Sequence, residues 1–197
     1  GAVSVGLTEA NETSRAYMRN VTLGHPVGQS AGNVALSSDN TTNYQAIVIG
    51  GAISNAGTGA TGPGGSSGTT VALAGAGASN RIDNVVESFI ADSGAIRGRS
   101  IVTNAGDVSL AATDNTVVFG LAGALSISTS RTSGVASRKA VSLGVSVAET
   151  HIGQDTGTRT RTYIENSDVR ASGNIGQDAT SNASYHSVAV VAAVSHA

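Results

Sequence analysis

Apolar and polar residues alternate with period two, the spacing of half-buried β-strands, in the stretch that organises this chain, and that stretch carries no 3.6-residue period of an amphipathic helix. It is Gly106 to Ser128, GDVSLAATDNTVVFGLAGALSIS, which opens on a turn pair and then alternates. Similar text occurs from Gly32, GNVALSSDNTTNYQAIVIGGAIS, and from Gly173, GNIGQDATSNASYHSVAVVAAVS. A second block keeps the same beat: AVSVGLTEANE at Ala2, TVALAGAGASN at Thr70 and AVSLGVSVAET at Ala140. An internal period of this kind marks a tandem array whose units bury their faces on one another.

Aligning the blocks sets Val3, Val71 and Val141 in one column and Gly32, Gly106 and Gly173 in another, and divides the chain into modules 1–68, 69–138 and 139–197 of one continuous array. Within a module the pattern predicts a strand (Ala2–Leu7), a polar turn (Thr8–Ser14) and a second strand (Ala16–Thr22). A turn at the module glycine, a polar break such as Asp39–Asn40 and a long strand such as Tyr44–Ser54 follow. Module two repeats this with strands at Thr70–Leu73, Val85–Ala91 and near Ala95–Val102, and a polar turn at Ser79–Asn80. In module three TGTRTRT, 156–162, places Thr and Arg on opposite faces of an extended segment. Pro26, Gly28 and the glycine-rich Asn55–Gly68 mark loops.

The six aromatic residues sort into two columns. Tyr17, Phe89 and Tyr163 are each followed by an aliphatic residue, and Tyr44, Phe119 and Tyr185 stand 12, 13 and 12 residues after the module glycine. Equivalent residues of stacked modules form rows, so these columns predict aromatic stacking along the array. The expected fold is all-β, a parallel β-solenoid of three tandem modules, with an antiparallel β-sandwich as the alternative. Ala and Gly on the inward faces predict a thin core. A 70-residue module exceeds a usual coil of roughly 20–30 residues, so two or three coils per module are expected, a single wide coil being the other arrangement.

Composition narrows the function classes. Charged residues are 12%, the net charge is −2, and the eleven basic residues, ten Arg and Lys139, are scattered, which argues against a nucleic-acid or acidic-membrane partner. There is no Cys, so disulfides and thiolate chemistry are excluded. The longest apolar run, Val188–Val194, is too short to span a bilayer as a helix. No secretory leader opens the chain and Gly1 falls inside a repeat, as in a processed product or a piece of a longer protein.

Candidate chemistry is thin. Asp39–Asn40, Asp114–Asn115 and Asp178 with Asn182 recur in the polar breaks; one carboxylate per break favours Asx turns over a calcium site. Of His25, His151, His186 and His196, the last two share a face at an even offset, without a third ligand. Glu9, Glu12, Glu87, Glu149 and Glu165 are expected to be solvated at turns and strand edges rather than paired as glycosidase acids. Gly57–Gly68 lacks the Lys–Ser/Thr ending of a phosphate loop. Thr158, Thr160 and Thr162 are not repeated as an ice-binding array would require, and the sequons at Asn11, Asn20, Asn40 and Asn182 matter only in a glycosylating pathway. No catalytic residue, cofactor or metal is expected.

The pieces AVSVG, AVSLG, VVESFIADSGAI, YIENSDVRASGNI and AGDVSLAATDNT resemble the β-strand repeats of filamentous-haemagglutinin-like giant bacterial surface proteins. The resemblance implies an exported, elongated adhesin or stalk segment, extracellular or at the cell surface, that stacks on flanking repeats or on itself and offers surfaces to cell-surface glycans or proteins. A self-assembling filament subunit is the nearest variant, and a carbohydrate-binding or carbohydrate-cleaving β-helix the second class.

Overall fold

The structure, a computed structural model, describes residues 1–23, 32–57, 68–92, 101–131, 138–153 and 157–197. Its elements are strands: β1 (Ala2–Arg19), β2 (Thr22–Leu23), β3 (Gly32–Asn40), β4 (Asn43–Gly57), β5 (Gly68–Ala91), β6 (Ile101–Asp114), β7 (Val117–Arg131), β8 (Arg138–Ile152), β9 (Arg159–Glu165), β10 (Asp168–Ala171), β11 (Ile175–Ser181) and β12 (Ser184–His196). They build three sheets. Sheet A stacks β1, β5 and β8 with β9; sheet B stacks β2 and β3, β6, and β10 with β11; sheet C stacks β4, β7 and β12.

Every strand pair among the described residues is parallel, so the antiparallel sandwich is excluded and the fold is an all-β parallel solenoid. The chain runs through sheets A, B and C in turn, three times. Ala2 pairs with Ala74, 72 residues on; Val34 pairs with Val108, 74 on; Val71 pairs with Val141, 70 on; Val108 pairs with Ile175, 67 on. One module is therefore one wide coil, not the two or three expected. The reason is strand length: β1 and β5 run unbroken for 18 and 24 residues. The polar segments Thr8–Ser14 and Ser79–Asn80 continue those strands instead of turning. At about 3.3 Å per residue, β5 alone spans about 80 Å.

The equivalences also shift. Val71 pairs with Val141, but Val3 pairs with Gly75, four residues along from Val71. A slip of four preserves which side chains point inward, so alternation could not reveal it. The turn between sheets A and B uses Asn20 (φ 55°) and Asn166 (φ 46°), residues that tolerate the left-handed region. Sheets B and C meet at 41–42, 115–116 and 182–183, so the polar breaks are corners. Pro26, Gly28, His25 and most of the Asn55–Gly68 loop lie outside the described residues, as does most of Ala95–Val102.

The core is thin, as its small residues predict. Ala46, Val48 and Ala52 of β4 and Ala122 and Ala124 of β7 meet Ala74, Ala76 and Ala78 of β5. Serine hydroxyls close the gap between sheets: Ser126 Oγ donates to the Ala72 carbonyl at 2.8 Å and Ser128 Oγ to the Thr70 carbonyl at 3.0 Å. The other half of sheet A packs on sheet B through larger residues, Ile90 against Val34, Val108 and Leu110. A β-carbon on Gly50 would overlap the Gly75 carbonyl oxygen, whereas one on Gly51, on the outward face, would meet nothing closer than the Leu125 carbonyl at 4.0 Å. Gly50→Ala should therefore lower stability by about 1–3 kcal/mol, while Gly51→Ala changes it by less than about 0.5 kcal/mol; thermal unfolding followed by circular dichroism compares the two.

Candidate functional site

In-register stacking brings distant residues into columns, and one column carries most of the charge. β1, β5 and β9 set Arg15, Glu87 and Arg161 side by side. Glu87 Oε2 accepts from Arg15 Nε at 2.7 Å, and Oε1 accepts from Arg159 and Arg161 Nε at 2.8 and 2.7 Å. The carboxylate is 2% exposed, while the three guanidinium side chains are 37–50% exposed. Burial alone would raise the Glu87 pKa, but the hydrogen bonds from Arg159, Arg161 and Arg15 outweigh it and take the group from 4.5 to about 2. Glu87 is thus a fixed anion in mid-strand, not a solvated edge residue, and at neutral pH it has no proton to donate.

Two residues further along each strand, Tyr17, Phe89 and Tyr163 stack with ring centroids 5.2 and 4.7 Å apart and interplanar angles of 10° and 8°. The predicted column is real. Arg19 lies 6.0 and 5.8 Å from the Tyr17 and Phe89 centroids, and Arg161 lies 4.5 Å from that of Tyr163. Both faces of Phe89 are covered by its neighbours, so the column offers a sugar no platform except at its ends. The second column does not form. Tyr44 and Tyr185 both pair with Val118, and Phe119 falls beside Gln45 and His186 on the opposite face. Its count of 13 against 12 is the one-residue step that turns a side chain over. Burial, then the nearby Glu12 carboxylate, raises the Tyr44 pKa to about 12.

The corner between sheets B and C holds a buried polar seam facing the middle of β5. Asp114 Oδ1 accepts from Thr116 Oγ1 at 2.6 Å and from Asn40 Nδ2 at 3.0 Å, and Thr116 Oγ1 accepts from Asn84 Nδ2 at 2.7 Å. Asp39 pairs with Thr113, and Asp178 with Ala111, so the three aspartates of the polar breaks do not converge. Asp114 thus bonds to Asn40 of the neighbouring coil and to Thr116 two residues on, and Thr116 carries the link to Asn84 of sheet A. Among the described residues no group of three His, Asp or Glu is placed to hold a metal ion. His186 and His196 share one face of β12, but ten residues at about 3.3 Å each keep them about 33 Å apart. His151 Nε2 is 3.4 Å from Glu149 Oε2, and Glu9, Glu12, Glu149 and Glu165 are exposed. Thr162 pairs with Ser88 and faces the interior.

The module glycines lead to an Asx ladder that the sequence patterning left unremarked. Asn33 Oδ1 accepts from the Asp107 amide at 3.0 Å, and Asp107 Oδ1 accepts from the Asn174 amide at 2.8 Å. Both this ladder and the Arg15–Glu87–Arg161 column had a signal in the text. The first follows each module glycine; the second precedes each first-column aromatic by two residues.

The outward faces are aliphatic, opposite to the small-residue interior. Val3, Val5 and Leu7 are 70–80% exposed on sheet A, as are Ile49 and Ile53, at 71% and 79%, on sheet C. Glycines of the central coil dent both faces. Gly75 lies in a groove of about 360 Å³ between Val3 and Val145, and Gly123 in one of about 400 Å³ beside Ile49 and Val190. No helix among the described residues is long and apolar enough to cross a membrane.

No family model, no curated protein and no solved structure matches this chain.

Glu87→Gln leaves three guanidinium groups around a neutral amide and should lower stability by about 2 kcal/mol, between the fully buried and exposed limits. Because the folded pKa lies below the unfolded value, the wild type's ionic contribution is complete above pH 4.5 and is lost as pH falls toward about 2. Melting curves across that window should fall less steeply for the variant than for the wild type.

Proposed function

We propose that this chain is a structural and adhesive segment of a long extracellular β-solenoid, a bacterial surface protein or filament, without catalytic activity. The observation that carries it is the coil geometry: strands stacked in parallel register, with the first and third coils each paired on one side only. Such edges invite further coils, whether from flanking repeats or from other copies. The resemblance of the repeats to those of filamentous-haemagglutinin-like proteins supports the same role.

The wide coil qualifies what the segment supplies. At about 4.8 Å of rise per coil, three coils advance the axis by about 14 Å while spanning about 80 Å across. Reach comes slowly with such a coil; breadth comes at once. The aliphatic residues of the first and third coils flank glycines of the central coil, and arginines flank Glu87, so a long array would present recurring aliphatic and arginine positions to a surface partner such as a glycan or protein.

The test is electron microscopy and fibre diffraction of the native material and of two copies of this chain fused in tandem. Each added copy should lengthen the rod by about 14 Å, with an axial reflection near 4.8 Å. Compact particles lacking that reflection would overturn the proposal.

A further inference from the structure

Resting on the solenoid reading above, we propose that the open edge of the third coil (β8, β9, β11, β12) docks in parallel register on the open edge of the first coil (β1, β3, β4) of a second copy, so that copies assemble head to tail. Two residues that share a partner on the central coil are the two that would meet across such a joint. Within one chain they are held apart by that coil; across the joint they stand about 4.8 Å apart.

The columns match at this joint. Tyr163 and Tyr17 share Phe89, so the ring stack continues into the next copy. Glu165 and Arg19 share Ala91, and His151 and Glu9 share Arg81; both pairs are complementary in charge, the second when the histidine is protonated. Val145 and Val3 share Gly75, and Val190 and Ile49 share Gly123, which extends the aliphatic faces. The Asx ladder is directional. Each Asx side chain accepts from the amide of the next coil, so Asn174 stands ready to accept from Asn33 of the following copy. One column is discordant: Arg161 would face Arg15, each already bonded to Glu87. That repulsion makes the joint weaker than a covalently continuous coil.

The area suffices. β1, the sheet-A strand of the first edge, runs 18 residues, about 60 Å, so with two sheets about 10 Å apart the joint covers at least about 600 Å² per partner, the lower end of a standard stable interface. The joint also pairs edge N–H and C=O groups of the three sheets that, among the described residues, have a strand on one side only.

The chain has no Cys, which allows a direct test. Val3 and Val145 are exposed, at 80% and 55%, and lie on opposite sides of Gly75. Two coil spacings of about 4.8 Å separate them within one chain, too far for a disulfide, whereas adjacent coils fall within its range. The purified Val3→Cys/Val145→Cys chain, oxidised mildly, should give a ladder of trimers and larger species on non-reducing gels, while each single-cysteine variant stops at dimers. In parallel, sedimentation should show Arg19→Glu and Glu165→Arg each weakening self-association at least tenfold, and the double charge swap restoring it; circular dichroism verifies folding of each variant. A double-cysteine chain that remains monomeric, or stops at dimers, overturns the proposal, as does a charge swap that restores nothing. If the tandem fusion still gives rods with the 4.8 Å reflection, the head-to-tail partner alone is wrong; if it does not, the solenoid segment reading fails first.

Discussion

Parallel, in-register stacking is the constraint from which the rest of this molecule follows. Once one coil lies on the next with the same residue order, every side chain stands about 4.8 Å from its equivalents above and below, and no column can ignore its own chemistry. Each column therefore holds groups that tolerate repetition. Aromatic rings stack face to face at 5.2 and 4.7 Å, asparagine and aspartate pass a hydrogen bond from coil to coil, and charge alternates from Arg15 to Glu87 to Arg161. A central lysine in place of Glu87 would set three like charges in line across three neighbouring strands. With Glu87 the buried carboxylate has three donors, and those donors also cover the sheet around it.

The cross-section follows from a second choice, the size of the inward residues. Ala, Gly and Ser inside one half of the coil let sheets A and C approach until a β-carbon at Gly50 has no room. At such a distance the hydrophobic contribution per residue is small, and serine hydroxyls bonded to carbonyls of the facing sheet supply part of what larger side chains would. The bulky aliphatics are displaced to the outside, where Val3, Leu7 and Ile53 stay open. The other half of sheet A does the reverse, with Ile90, Val108 and Leu110 inside. The polar seam of Asn40, Asn84, Asp114 and Thr116 marks the junction between the thin half and the thick half.

Class and periodicity were legible because they depend only on alternation, which survives most errors of alignment. The first aromatic column was legible for the same reason: Tyr17, Phe89 and Tyr163 are large, rare and correctly spaced. What failed were features decided by parity or by absolute register. The four-residue slip at Val3 leaves inward residues inward and is invisible to pattern. The single extra residue before Phe119 breaks a column that counting had joined. Coil width was misjudged because Thr8–Ser14 and Ser79–Asn80 have turn composition, yet the ladder hydrogen bonds and the buried partners of Asn84 hold them extended. Local propensity yielded to pairing with the next coil. The Glu87 cluster could have been found by reading two residues back from each aromatic, but only once the column was trusted.

The central coil shows what an edge lacks. Its residues from Ile82 to Ala91 are buried on both faces of sheet A, whereas the matching residues of the first and third coils are largely half-buried or exposed. In a stack of repeats, stability is a sum of coil terms and nearest-neighbour terms, so three coils hold only two neighbour interfaces and bear two bare ends. Each further coil adds an interface without adding an end. Within residues 1–197 the outer coils are thus the least covered, and the assembly proposed above would cover them by the same pairing that covers the central coil. A solenoid this wide gains more from each new neighbour than a narrow one does, because a whole coil of some 70 residues is covered at a single step of about 4.8 Å.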